Sequence, residues 1–164
     1  MANSTLTTPD SRPLRIALIG AGRHAQHHAR AILRCPGVQL VAVADPSDAA
    51  QAAMRDIVPG IGCFKTPEEL FASERLNVVH IITPPASHAP LARMAIKAGC
   101  HIYVEKPFTE SVEDAQQILD EASAKGLRVC AGHQLLYEPP TRVLTQYLPS
   151  IGRVVHVESY FSFR

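Results

Sequence analysis

The sequence predicts an α/β fold, a parallel sheet wound on both faces by helices. Three observations predict it. From Leu14 onward, short apolar runs alternate with longer segments of helical period. The first of these runs is apolar apart from one residue, as suits a strand buried on both faces. Glycine or proline stands at most of the junctions, where helices stop and strands cannot continue.

The elements follow in order. Leu14 to Ile19 is apolar apart from Arg15 and reads as the first strand. Gly22 to Leu33 carries Ala25, Ala29, Ile32 and Leu33 on one stripe and is predicted helical, with Pro36-Gly37 closing it. Val38 to Ala44 is the second strand, Ser47 to Ile57 a helix, and Cys63-Phe64 a short third strand. Thr66-Pro67-Glu68-Glu69 has the order of a helix start: a hydroxyl cap, proline in the first turn, and a glutamate placed to complete a capping box. Val78 to Thr83 is a β-branched strand that Pro84-Pro85 ends. Ser87 to Ala98 reads as a helix stopped by Gly99, and His101 to Glu105 as a strand. Ser111 to Lys125 is an amphipathic helix, with Ser111 and Asp114 as a capping pair and Gly126 as its stop; Leu127 to Ala131 is the sixth strand.

After Gly132 the pattern changes. Glu138-Pro139-Pro140 opens a helix to Leu148, and Val154 to Phe163 alternates in the manner of a strand that needs a sheet to pair with. The expected organisation is a flexible polar tail over residues 1–12, one α/β domain over 13–133, and, over 134–164, a linker helix and the first strand of a second, α+β domain.

Composition excludes several function classes. With 164 residues, 46% hydrophobic, 19% charged and a net charge of +1, the chain reads as globular and offers no field for nucleic acid or an anionic membrane. No run approaches a bilayer span, and the first dozen residues lack the apolar segment of a signal peptide. The four cysteines form no C-x-x-C pair, so a zinc knuckle and a dithiol redox motif are not indicated; free thiols in a reducing cytoplasm are expected. His24 and His28 have the spacing of a metal pair, but no other ligand accompanies them and no metal site is expected.

The strongest chemical signal is Gly20-Ala21-Gly22-Arg23-His24-Ala25, lying between the first strand and the first helix. Gly20 permits the tight turn, Gly22 lets the backbone approach a pyrophosphate, and Ala25 replaces the third glycine where helix and strand pack. The helix start, with Arg23 and His24 beside it, favours phosphate charge. Asp45 ends the second strand about twenty residues on, where a carboxylate accepts from adenosine ribose hydroxyls. A 2′-phosphate would be repelled there and Pro46-Ser47 supplies no arginine, so the cofactor expected is NAD, in a Rossmann-type doubly wound sheet.

The second half is more distinctive. Thr83-Pro84-Pro85-Ala86-Ser87-His88 follows one strand, and Ala98-Gly99-Cys100-His101-Ile102-Tyr103-Val104-Glu105-Lys106-Pro107 spans the next. Together with Gly132-His133-Gln134, Tyr137-Glu138-Pro139 and Ile151-Gly152-Arg153-Val154, these resemble the Gfo/Idh/MocA oxidoreductases from about Leu14 to the last residue. The resemblance implies a sugar or cyclitol dehydrogenase in which Lys106 is the active-site lysine, with Pro107 fixing its loop through a cis peptide. A lysine at the carboxyl edge of a parallel strand also stands where open α/β sheets bind ligands, able to stabilise alkoxide charge during hydride transfer. Thr83, Pro84, His88 and Glu105 are candidate cofactor contacts; Glu105 alternatively orients Lys106. His88 reads equally as a capping or surface residue, His133 as a cleft or a structural residue, and Tyr103 as core. The family ordinarily continues into a large antiparallel sheet domain carrying a D-x-x-x-H histidine, which these 164 residues do not contain. The expected partner is a small carbohydrate-like substrate, with a homo-oligomer or a complementing carboxyl-terminal domain completing the site. The rival classes are a non-catalytic NAD(H) module or redox sensor, and an interaction protein using its terminal strand.

Overall fold

A computed structural model describes residues 12–158 and 160. The described residues fall into two units, one ending at Gly132 and the other beginning at His133. Most of the expected tail, residues 1–11, lies outside the described residues.

The first unit contains strands β1 (Leu14–Ile19), β2 (Val38–Ala44), β3 (Gly62–Phe64), β4 (Val78–Ile81), β5 (His101–Val104) and β6 (Val129–Ala131). Between them run α1 (Arg23–Ile32), α2 (Asp48–Ile57), α3 (Pro67–Ser73), α4 (His88–Lys97) and α5 (Val112–Ala124). All pairings are parallel, in the order β3-β2-β1-β4-β5-β6. The chain winds outward from β1 in one direction and from β4 in the other, so a crevice opens at the carboxyl ends of β1 and β4.

Strand pleating sends alternate side chains to opposite faces, and each face has its own core. Ile16, Leu18 and Val43 pack with Ala25, Ala29 and Ile32 of α1 and Met54 of α2. Ala17, Ile19, Val79 and Ile81 pack on the other face with Leu70 of α3, Ala92 and Ile96 of α4, and Ile118 of α5. Each Val, Leu, Ile or Met side chain among these contributes ~1.5–3 kcal/mol when fully buried, so the double winding is held by both layers together.

The caps follow the sequence with one change. Ser47, Thr66 and Ser111 cap α2, α3 and α5 through their side-chain oxygens. Glu69, however, reaches back to the N–H of Lys65 at 2.9 Å and not to that of Thr66, so the reciprocal half of the box is shifted one residue outward. The fourth strand stops at Ile81, two residues before the predicted end, and Pro85–Ser87 forms a 3-10 turn ahead of α4.

The second unit holds a 3-10 turn at Gln134–Tyr137, α6 (Pro139–Tyr147), and a further 3-10 turn at Leu148–Ser150. The predicted strand over Val154 to Phe163 is not formed at the described positions 154–158; Ser159 and residues 161–164 lie outside the described residues. An alternating pattern becomes a strand only where a neighbour satisfies its backbone, and no described segment pairs with it.

Candidate nucleotide-binding site

The crevice between β1 and β4 is built by close backbone approach. Gly20 has φ +96°, and a Cβ there would stand 2.6 Å from the Ile82 carbonyl oxygen, so the turn after β1 lies against the end of β4 only because residue 20 has no side chain. Gly22 precedes α1 and, by contrast, has open space where its Cβ would be. No side chain caps α1, whose first-turn N–H groups therefore face this space without a partner side chain, and no acidic residue occupies that turn. Arg23 and His24 are exposed beside it.

Asp45 is aimed at the glycine turn. Its Oδ2 accepts the N–H of Ala21 at 2.7 Å and its Oδ1 that of Ser47 at 2.8 Å. A carboxylate has about four acceptor directions, so two remain for a ligand. The backbone beneath is held by Gln51, a buried glutamine of α2 whose Nε2 donates to the carbonyls of Asp45 at 2.7 Å and Phe64 at 2.9 Å. Gln51 was missed in the sequence because a polar residue on a helix reads as surface.

Two cavities meet at Ile82 and Thr83. The larger, about 440 Å³, is lined by Gly20, Gly22, Asp45, Lys65, Thr83 and Pro84 among others; the smaller, about 190 Å³, by His24, Ile82, Thr83, Glu105 and Lys106. Lys65, not singled out from sequence, is the cation on the rim of the larger one, and it is already engaged: its Nζ donates to Pro46 O at 3.1 Å and meets Asp48 at 2.5 Å. That lysine holds the Asp48 carboxyl below the usual range.

The family model described as an oxidoreductase family with an NAD-binding Rossmann fold matches residues 14–133. The chain belongs to the Gfo/Idh/MocA oxidoreductase family. An inositol 2-dehydrogenase of Agrobacterium fabrum is 36% identical over 118 residues, covering 71% of this chain and 35% of that protein. The D-glucoside 3-dehydrogenase of Escherichia coli is 32% identical over 117 residues, covering 71% and 33%. Among solved structures, GenD2 from gentamicin A biosynthesis, in complex with NAD, superposes with a TM-score of 0.74 at 29% identity, covering 78% of this chain and 36% of that one. The chain thus spans well under half the length of the relatives it matches.

Within this Gfo/Idh/MocA domain the Lys106–Pro107 peptide is cis. Lys106 is exposed on the wall of the smaller cavity, and among the described residues its Nζ has no hydrogen-bonding or ionic partner. Its backbone N–H donates to Glu105 Oε2 at 3.2 Å. His88 is buried and lines neither cavity: its ring nitrogens stand 2.8 Å from the carbonyl oxygens of Pro107 and Thr83, tying the two site loops together. A neutral imidazole donates to only one of these at a time. Thr83 is held by Ser87: their hydroxyl oxygens stand 2.6 Å apart, and Ser87 Oγ is 2.7 Å from Pro84 O.

The histidine pair read from spacing has a different arrangement. His28 turns inward to His80 and Glu105, each at 3.1 Å, while His24 stays at the cavity wall. His80 had no place in the sequence reading, although a histidine inside Val78-Val79-His80-Ile81 was the available signal. Tyr103, expected in the core, is half-buried, stacked on His80 and within 3.3 Å of Glu105 Oε1.

Proposed function

We propose that this chain is the cofactor-binding part of an NAD-dependent dehydrogenase that moves a hydride between nicotinamide and a hydroxyl or carbonyl carbon of a sugar or cyclitol. The observation that carries the proposal is the convergence of the Asp45 carboxylate and the open space at Gly22 on one cavity. The diphosphate is taken by the Gly20–Gly22 turn and the N–H groups opening α1. The two free acceptor directions of Asp45 hold the adenosine ribose hydroxyls. Its negative charge disfavours a 2′-phosphate, and Lys65 is occupied by Asp48, so NAD is preferred to NADP.

When bound, nicotinamide supplies the hydride acceptor or donor. Thr83, Glu105 and His24 frame its end of the crevice, with Pro84 on the adjoining larger cavity, and Lys106 holds the substrate oxygen. The Lys106 ammonium stabilises the negative charge that develops on that oxygen as the C–H bond breaks, or polarises the carbonyl in the reverse direction. The substrate floor and a second proton-transferring group come from a further domain or a partner chain. Leu136, Tyr137, Leu144 and Tyr147 of the second unit are exposed side chains suited to such a neighbour. The names of the inositol and glucoside relatives support the substrate class, and four free cysteines suit a reducing cytoplasm.

Calorimetric titration of NADH and NADPH into wild type and Asp45→Ala tests the proposal. Charge-assisted hydrogen bonds contribute ~1.5–3 kcal/mol, so the variant is expected to bind NADH roughly 10- to 100-fold more weakly. Wild type is expected to bind NADPH poorly. No NADH binding by wild type would refute the reading, and equal affinity for the two reduced cofactors would remove the role given to Asp45.

A further inference from the structure

Behind the smaller cavity lies a polar cluster that cofactor cradling does not use. His80 and Tyr103 are register partners on β4 and β5 and stack with ring centroids 4.8 Å apart. His28 of α1 meets both rings edge-on, at 5.3 and 5.1 Å. Its Nδ1 stands 3.1 Å from His80 Nδ1 and its Nε2 3.1 Å from Glu105 Oε1. Tyr103 Oη donates to the same carboxylate oxygen at 3.3 Å, and Oε2 accepts the N–H of Lys106 at 3.2 Å.

These bonds have one consistent direction. A carboxylate only accepts, so His28 donates through Nε2; neutral His28 then accepts at Nδ1, and His80 donates from its own Nδ1. Both rings are favoured neutral. Burial, with some help from His28, brings His80 down to about 4. Burial also lowers His28, against the opposing pull of Glu105. His28 therefore adds a donor to Glu105, and His80 adds one to His28, without adding positive charge. Glu105 lines the smaller cavity, whereas His28 and His80 do not.

We propose that His80 and His28, acting in series, hold the Glu105 carboxylate on the wall of the smaller cavity, and that its negative charge makes this cavity favour the cationic, oxidised form of a nicotinamide ring over the neutral, reduced form. This rests on the cofactor reading above, which brings the ring end of NAD to this cavity. The two redox forms differ by one positive charge on the ring. A fixed carboxylate several ångströms away, at the effective dielectric of a partly buried site, separates their affinities roughly tenfold. Lys106, on the same wall, opposes the carboxylate, but it is present in every variant below, so the comparison between variants reads the change at Glu105. His28 and His80 are positioning residues, since each acts on the ring through Glu105.

The test measures dissociation constants of the full chain for ADP-ribose, NAD+ and NADH near neutral pH. ADP-ribose lacks the nicotinamide and reports whether each variant is folded with an intact adenosine half. Glu105→Gln is expected to weaken NAD+ relative to NADH roughly tenfold, with ADP-ribose unchanged. His28→Ala is expected to move the ratio the same way by a smaller factor. His28→Gln, which keeps a side-chain N–H for Glu105, should restore much of it. Ring 15N spectra should show His28 protonated at Nε2 and His80 at Nδ1. Failure of wild type to bind ADP-ribose would refute the cofactor reading itself. ADP-ribose binding with a ratio unmoved by Glu105→Gln would overturn this inference alone. A ratio moved by Glu105→Gln but not by His28→Ala would overturn the positioning role.

Discussion

Asp45 and Lys106 stand at the carboxyl ends of two strands of one sheet, yet they are held in opposite ways. Asp45 is braced on every side: both carboxylate oxygens accept backbone N–H groups, its own N–H donates to Phe64 O at 3.0 Å, and Gln51 holds its carbonyl. Lys106 is fixed through its backbone alone, by Glu105, while its ammonium has no partner among the described residues. The contrast suits two tasks. A group that recognises a constant part of a cofactor gains from being preorganised. A group reserved for a substrate oxygen is left to be oriented by that substrate.

The largest expected effect comes from breaking the seam that joins the two halves. Gly20→Ala adds a Cβ 2.6 Å from a backbone carbonyl at a φ that side chains rarely adopt, and the obstacle is main chain, which cannot swing aside. Backbone strain and overpacking together should cost about 4 kcal/mol. Thermal unfolding monitored by circular dichroism should show a fall of roughly 10 °C; an unchanged midpoint would mean that β1 and β4 do not meet as described.

Acid in the range below pH 6.5 is expected to act next, on the Lys106 half. His80 is lowered from 6.5 to about 4, so the folded state resists protonation where the unfolded chain accepts it. The stability that neutral His80 contributes is therefore complete above pH 6.5 and is lost as pH falls from there toward 4. The loss amounts to about 3 kcal/mol at the lower end. His28, also lowered, adds in the same direction. Urea unfolding of His80→Val should show a flatter acid limb than wild type; limbs that run parallel would contradict the burial assigned to this ring.

The same division explains what was legible in the sequence. Strands, helices and the glycine turn were readable because their signals are local: pleat and helix periods, caps, and glycine where backbones touch. Asp45 was readable through its spacing from that turn. The network around Glu105 was not, since His28, His80 and Tyr103 come from α1, β4 and β5 and acquire a shared chemistry only when β4 and β5 pair in register. A helical i, i+4 histidine pair suggested metal spacing, whereas the fold divides the pair, one ring at the cavity and one beneath it. Gln51 and Lys65 were hidden for the same reason, each contacting a residue that the sheet, not the chain, brings near. The alternation over residues 154–158 shows the reverse failure, a local strand pattern without the neighbour that would make it one.

The smallest expected effect is the one that sharpens the comparison most. Lys106→Met removes an exposed ammonium that has no partner among the described residues and leaves the backbone bond to Glu105 in place. Stability should change by less than ~0.5 kcal/mol, as for surface substitutions away from special features. ADP-ribose affinity should stay within about twofold, because the larger cavity is not lined by this residue. Asp45→Ala should do the opposite, sparing nothing on the adenosine side. If Lys106→Met lowered ADP-ribose affinity as much as Asp45→Ala does, the two ends of the crevice would be a single coupled site, and the separation of a recognising half from a reacting half would be wrong.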